Sequence, residues 1–164
     1  MRRFVLTGLF LVISLIFYTV TGPQAQAVEK FQYVVKFVCG YSDGKVVAAG
    51  QYQTAINVFN NPTNPKVTLK KHFVVALPSQ EAGPVSEIRS VELEKNRALE
   101  IDYGDIMGEM KKLDVLKFAK GFVVIASEVE LDVVAVYTVH RKPKLWGTAA
   151  VDIDIEYVTP RVFP

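Results

Sequence analysis

The sequence predicts an all-β domain: a two-sheet, immunoglobulin-like sandwich of seven or eight strands with one short crossover helix. Three observations predict it. Residues 120–139, KGFVVIASEVELDVVAVYTV, form the most apolar stretch after the N-terminal segment, yet they carry Glu128, Glu130 and Asp132 near the middle. A membrane helix would bury all three, at roughly 2.5–3.5 kcal/mol each. Val, Ile, Phe, Tyr and Thr dominate instead, and these suit a pleated surface. Second, AAVDIDIEYV (149–158) alternates apolar and acidic residues with period two. Third, strand-like runs recur at roughly ten-residue spacing, broken once by a helical stripe.

The elements follow in order. FQYVVKFVCG (31–40) is a strand with Phe31, Tyr33, Val35, Phe37 and Cys39 on one face, and Asp43-Gly44 marks the turn after it. GQYQTAINVFN (50–60) is the second strand. NNPTNP is a loop by composition. KVTLKKHFVVAL (66–77) is the third strand, and PSQEAGP is a loop. Residues 85–93 form a weaker strand and 98–103 a short fifth. In GDIMGEMKKLDVL, Ile106, Met110 and Leu113 fall at i, i+4 and i+7, the stripe of a short helix that Asp105 would cap. The opening stretch then supplies strands 121–127 and 131–139, apolar on both faces and so expected to be covered on both sides. The non-alternating FVVIA and VVAV also argue against a small outer-membrane barrel, whose strands alternate throughout. In the last strand, 149–158, Asp152, Asp154 and Glu156 are expected to face solvent and Val151, Ile153, Ile155 and Tyr157 the other way. Pro160 ends it.

Residues 1–27, MRRFVLTGLFLVISLIFYTVTGPQAQA, are expected to be a signal peptide. Arg2 and Arg3 form the positive region and residues 4–20 the apolar one. Gly22-Pro23 breaks the helix, and Ala25-Gln26-Ala27 offers a small-x-small cleavage site. The alternative is an uncleaved anchor, since about 17 apolar residues can span a thin bilayer. Residues 28–164 are then one domain, exported by the Sec route to the periplasm, cell surface or medium. The chain has 19 basic and 17 acidic residues, and both arginines of the leader leave with it. The remainder is near neutral, with no field to attract nucleic acid.

VVKFVCG (34–40), GQYQTAINVFNNP (50–62), ALEIDYGDI (98–106) and residues 120–139 together resemble a group of small exported bacterial β-sandwich proteins without assigned function. The likeness covers most of the chain after residue 27 and rests on core patterns. It implies export and a β fold and supplies no activity. It also implies a second cysteine at the position of Tyr103, paired with the one matching Cys39. Tyr103 stands there, so no disulfide carries over.

Candidate chemistry is sparse. Cys39, the single cysteine, shares the apolar face of its strand and reads as a buried, inert thiol. His72 and His140 sit among cations without ligands at metal spacing and read as solvated strand residues. Glu100, Asp102, Asp105 and Glu109 are the densest acids, and Asp102 and Asp105 flank a glycine as calcium ligands can, but the spacing matches no EF-hand. Asp152, Asp154 and Glu156 are spaced about 6.8 Å apart along their strand, too far for one ion. No metal and no cofactor is expected. Without Gly-x-Ser-x-Gly, HExxH, a P-loop or a dinucleotide fingerprint, neither is an enzyme. The most suggestive loop is HRKPKLWGTAA (140–150), where Arg141, Lys142 and Lys144 precede Leu145 and Trp146. Cations beside Trp suit an anionic glycan, a lipid headgroup or a protein; the rival reading has Leu145 and Trp146 plugging the end of the sandwich.

The sequence thus points to an exported, non-enzymatic binding or assembly module at the cell envelope, with an envelope protein or glycan as partner. Alternatives are an accessory domain of an envelope enzyme with an unrecognised site, or a membrane-anchored surface module if residues 1–27 stay attached. A long open edge strand with apolar side chains would favour assembly. A polar cleft with convergent acids would favour an enzyme.

Overall fold

The computed structural model describes residues 29–78, 80–141 and 150–163. The chain is mostly β, wholly antiparallel, with one short helix. In chain order the elements are β1 (Phe31–Ser42), β2 (Gly50–Asn60), β3 (Val67–Ala76), β4 (Ala82–Val85), β5 (Arg89–Leu93), β6 (Arg97–Ile101), α1 (Tyr103–Lys112), β7 (Phe118–Ser127), β8 (Asp132–Arg141), β9 (Ala150–Tyr157) and β10 (Arg161–Val162). Hydrogen bonds run through the order β4-β3-β7-β1-β2-β8-β9, with β5 on β3, β6 on β2 and β10 on β1.

One narrow junction divides this network into two wings. β1 pairs with β7 along Phe31–Gly40 but meets β2 over three pairs only, Gly40–Ser42 against Gly50–Tyr52. Where β1 and β2 part, the Thr54 hydroxyl takes the place of a strand. Its Oγ1 accepts from Val38 N and donates to Val38 O, each at 3.0 Å. Gly40 sits at this bend with φ +98°, and a Cβ there would lie 2.1 Å from Lys117 O, so only glycine fits. Side chains from both wings enter one buried cluster: Val35, Phe37, Phe73 and Val123 from one, Ile56, Val58, Val133 and Ala135 from the other. Helix α1 crosses between them and adds Ile106 and Met110. Its N-cap is Asp102 rather than Asp105. The two form a capping box, Asp102 Oδ1 accepting from Asp105 N at 2.9 Å and Asp105 Oδ2 from Asp102 N at 3.2 Å. That reciprocal bonding accounts for the two acids that suggested calcium.

Further expectations are corrected or refined. Residues 85–93 hold no single strand: β4 begins in the expected loop, and β5 follows after a break. Both dock on β3, and Gly83 lets β4 approach it, because a Cβ there would lie 2.1 Å from Val75 O. The last long strand ends before Pro160, as expected, and the chain then adds a short unforeseen strand, β10, against Phe31 and Gln32. β7 and β8 are central in pairing but not covered on both faces by described residues. Buried and partly exposed residues alternate along β7 from Phe118 to Ile125, and Phe122 is exposed. One row of their β-branched residues, including Val123, Ile125 and Val133, packs into the shared cluster, and the other row is only partly covered. The placement of β9 creates the candidate site.

Candidate functional site

β9 is an edge strand. Among the described residues it pairs only with β8, and all of Val151–Tyr157 is exposed. Its register sets its faces. Asp152, Asp154 and Glu156 lie opposite Val139, Tyr137 and Ala135, the face that leads down to the buried cluster. Val151, Ile153, Ile155 and Tyr157 lie opposite His140, Thr138, Val136 and Val134 on the outer face. The acids are exposed, as expected, but they share the cluster's side of the sheet, and the apolar row, expected to face the other way, is left on the outer face. Alternation gives the period of a strand but not its hand, and β9 lies beyond the cluster, where neither face is forced inward.

The acidic face overlooks a cleft of about 390 Å³ between β9, β8, the start of β2 and the free side of β1. On that side of β1, β10 covers Phe31–Gln32 and Thr54 reaches Val38, and no described strand pairs with Val34–Lys36 between them. Lys36 and Val38 form one wall, Asp152, Asp154 and Glu156 the other, and Tyr52 and Tyr137 line the floor. The Tyr137 hydroxyl donates to Glu156 Oε2 at 2.6 Å. Burial raises its pKa well above the ordinary tyrosine value, reinforced by the bond to Glu156 and the charges of Glu156 and Asp154. Tyr137 therefore stays a neutral donor at physiological pH. Asp154 Oδ1 accepts from Ile155 N at 3.0 Å.

The lining offers carboxylates, tyrosines and a lysine but neither histidine nor cysteine. Among the described residues no three His, Cys, Asp or Glu side chains cluster as a metal site would require. The arrangement suits recognition: hydrogen-bond acceptors, one wall of negative charge and an apolar outer face.

Of the loop residues singled out from the sequence, only Arg141 falls among the described residues. It ends β8, pairs with Ala150, and holds Nη2 3.7 Å from Asp152 Oδ2, with both side chains well exposed. Such a contact contributes little. Lys142, Lys144, Leu145 and Trp146 lie outside the described residues. The cleft itself was not legible in the sequence, because Lys36, Tyr52, Tyr137 and β9 meet only through strand pairing.

A second charged group lies across the molecule. Arg89 Nη2 and Lys112 Nζ contact Glu109 Oε1 at 3.0 and 2.8 Å, tying β5 to α1. Burial lowers the pKa of nearby Lys71.

Cys39 is fully buried, and burial pushes its thiol up to about 11 from 9.0, against opposing hydrogen bonds from Thr54. That shift lowers the thiolate fraction about 100-fold near neutral pH. A thiol reagent at pH 8 should therefore label the folded chain at least about 100-fold more slowly than the unfolded chain. Labelling at the unfolded rate, or a dimer lost on reduction, would contradict the buried position.

No protein-family profile matches the chain, and no curated protein matches it. Among solved structures it is similar to one described as the crystal structure of Thermotoga maritima 1070. That likeness covers 78% of this chain and 93% of the other, at 15% identity and a TM-score of 0.40. A likeness that distant carries no argument. Among the described residues no helix is long and apolar enough to cross a membrane.

Proposed function

We propose that the chain is an exported, non-enzymatic binding or assembly module of the cell envelope, and that it docks a partner along β9. The observation that carries this reading is the edge itself, unpaired among the described residues: eight residues, with Val151, Ile153, Ile155 and Tyr157 between 57% and 82% exposed. Soluble proteins usually blunt such an edge or cover it, because unpaired N–H and C=O groups recruit other chains. An uncovered edge with an apolar face is what strand addition requires. A polypeptide partner fits better than a glycan, since the edge offers a regular row of backbone donors and acceptors.

The remaining parts of the reading follow the sequence. The two wings are taken as the two sheets of an immunoglobulin-like sandwich sharing one core. Residues 1–27 are taken as a Sec leader, removed on export. The acidic cleft is also what an accessory enzymatic role would use, since carboxylates alone can serve as acid and base; the exposed apolar edge is what favours docking.

A photo-cross-linking residue placed at Ile153 should capture an envelope protein in intact cells, whereas the same residue at exposed Glu87, remote from β9 in the pairing order, should not. Equal capture at both positions, or none at Ile153, would overturn docking through β9.

A further inference from the structure

The backbone of β9 fixes what kind of strand its edge can accept. Val158 N donates to Val133 O at 2.9 Å, continuing the β8–β9 ladder past Tyr157. In an antiparallel ladder, alternate residues bond to one neighbour. Residues 152, 154 and 156 therefore bond to β8, and Val151, Ile153, Ile155 and Tyr157 turn their N–H and C=O groups to the free edge. The Ile155 N–H is the exception to their freedom, being held by the Asp154 carboxylate at 3.0 Å.

We propose that the free edge of β9 accepts, as an added strand, an extended polypeptide segment in which basic and apolar residues alternate. This rests on the docking reading of β9 and names the chemistry of its partner. Residues opposite each other in a ladder share a face. The incoming strand therefore sets one row of side chains beside Asp152, Asp154 and Glu156, and the other beside Ile153 and Ile155. Basic residues match the first row and apolar residues the second. Apolar partners also extend the outer face that Val134 and Val136 share with β9. A cation beside Asp154 does a second thing. It draws the carboxylate away from Ile155 N–H and releases that donor to the incoming strand.

Antiparallel pairing with a second copy of this chain is disfavoured. Edge-facing residues pair with edge-facing residues, so every antiparallel register that pairs most of β9 with itself sets acid against acid. Like charges directly opposite are destabilising. The acids thus keep the edge open towards a basic strand while guarding it against its own kind.

The test uses the full chain labelled with nitrogen-15 and two capped eight-residue peptides, one alternating Val and Lys, the other Val and Glu. The Val-Lys peptide should shift the Ile153 and Ile155 amides and should lose affinity as salt rises. In the double variant Asp152→Lys, Asp154→Lys it should bind about tenfold more weakly, and the Val-Glu peptide should bind in its place. Both substitutions lie on an exposed edge, and an unchanged amide spectrum away from β9 confirms the fold. Equal binding of both peptides to the native chain, amide shifts elsewhere than β9, or self-association through β9 at neutral pH would overturn the proposal. Peptides that fail while Ile153 still cross-links an envelope protein would remove the basic strand and leave the docking reading standing. Peptides that succeed without any cellular cross-link would leave the edge's preference for a basic strand standing and remove the envelope partner.

Discussion

Phe37→Ala should destabilise the domain by about 3–5 kcal/mol, the range for truncating a fully buried phenylalanine. The ring is completely enclosed and meets Phe73 edge-on, with centroids 6.4 Å apart. It also lies over Gly121 of β7, where a Cβ would stand 3.0 Å from two ring atoms and 2.0 Å from Val74 O. Glycine is required there because β3 and the ring leave no room. The same geometry makes the loss severe, since Gly121 has no side chain to move into the void. With a urea dependence of ~1–3 kcal/mol per molar, the unfolding midpoint should fall by roughly 2 M. Phe37→Leu should keep most of the volume and cost far less. A Phe37→Ala midpoint within about 0.3 M of the parent would show that β1, β3 and β7 do not converge on this ring.

The contributors to that cluster were legible one strand at a time. Tyr33, Val35, Phe37 and Cys39 share parity, and that parity alone put them inside, where all four are fully buried. Ile106 and Met110 were marked by helical spacing, and both are fully buried in α1. The bounds of β2 could be read from composition because Gly50 and the Asn-Pro loop punctuate it. What parity could not supply was hand. β9 alternates as cleanly as β1, yet it sits at the end of the pairing order, where the core no longer selects a face. Its acids therefore turn towards the cleft and its apolar residues towards solvent. β4 and β10 were missed for a related reason. Each is short and contains or adjoins proline, and each exists because a longer strand offers it an edge. The cleft belongs to the same category. Lys36 and Glu156 are far apart in sequence, and only the parting of β1 from β2 leaves the space they flank.

That parting also explains why the edge is available. A fully paired β1 would continue alongside β2, and the wing carrying β8 and β9 would have no separate floor. Instead Thr54, buried yet polar, satisfies Val38 with both a donor and an acceptor, so the ladder ends without an orphaned group. β2 then turns to β6 for its remaining length. The polar core residue and the open site are two consequences of one branch point.

Tyr33→Phe should cost about 2–4 kcal/mol, although it removes a single oxygen. The Tyr33 hydroxyl donates to Leu131 O at 2.8 Å and accepts from Leu131 N at 2.6 Å, fully inside the protein. Leu131 immediately precedes β8, which belongs to the other wing, so this side chain fastens β1 to the start of the strand opposite across the core. Phenylalanine fills the same space and creates no cavity. It leaves both backbone groups of Leu131 without a partner, at about 1–3 kcal/mol for each buried orphan. The dependence on pH separates this from a packing effect. Burial raises the Tyr33 pKa above 10.0, chiefly by desolvation, so the neutral hydroxyl is the form that the folded state holds. Its contribution is intact below about pH 10 and is lost as pH climbs through the raised folded value. The stability difference between the parent and Tyr33→Phe should therefore be constant from about pH 6 to 9 and narrow above about pH 10. Other groups titrate in both chains and cancel in the comparison. A gap that stays constant to about pH 11 would assign the loss to packing and sever the proposed tie between the wings.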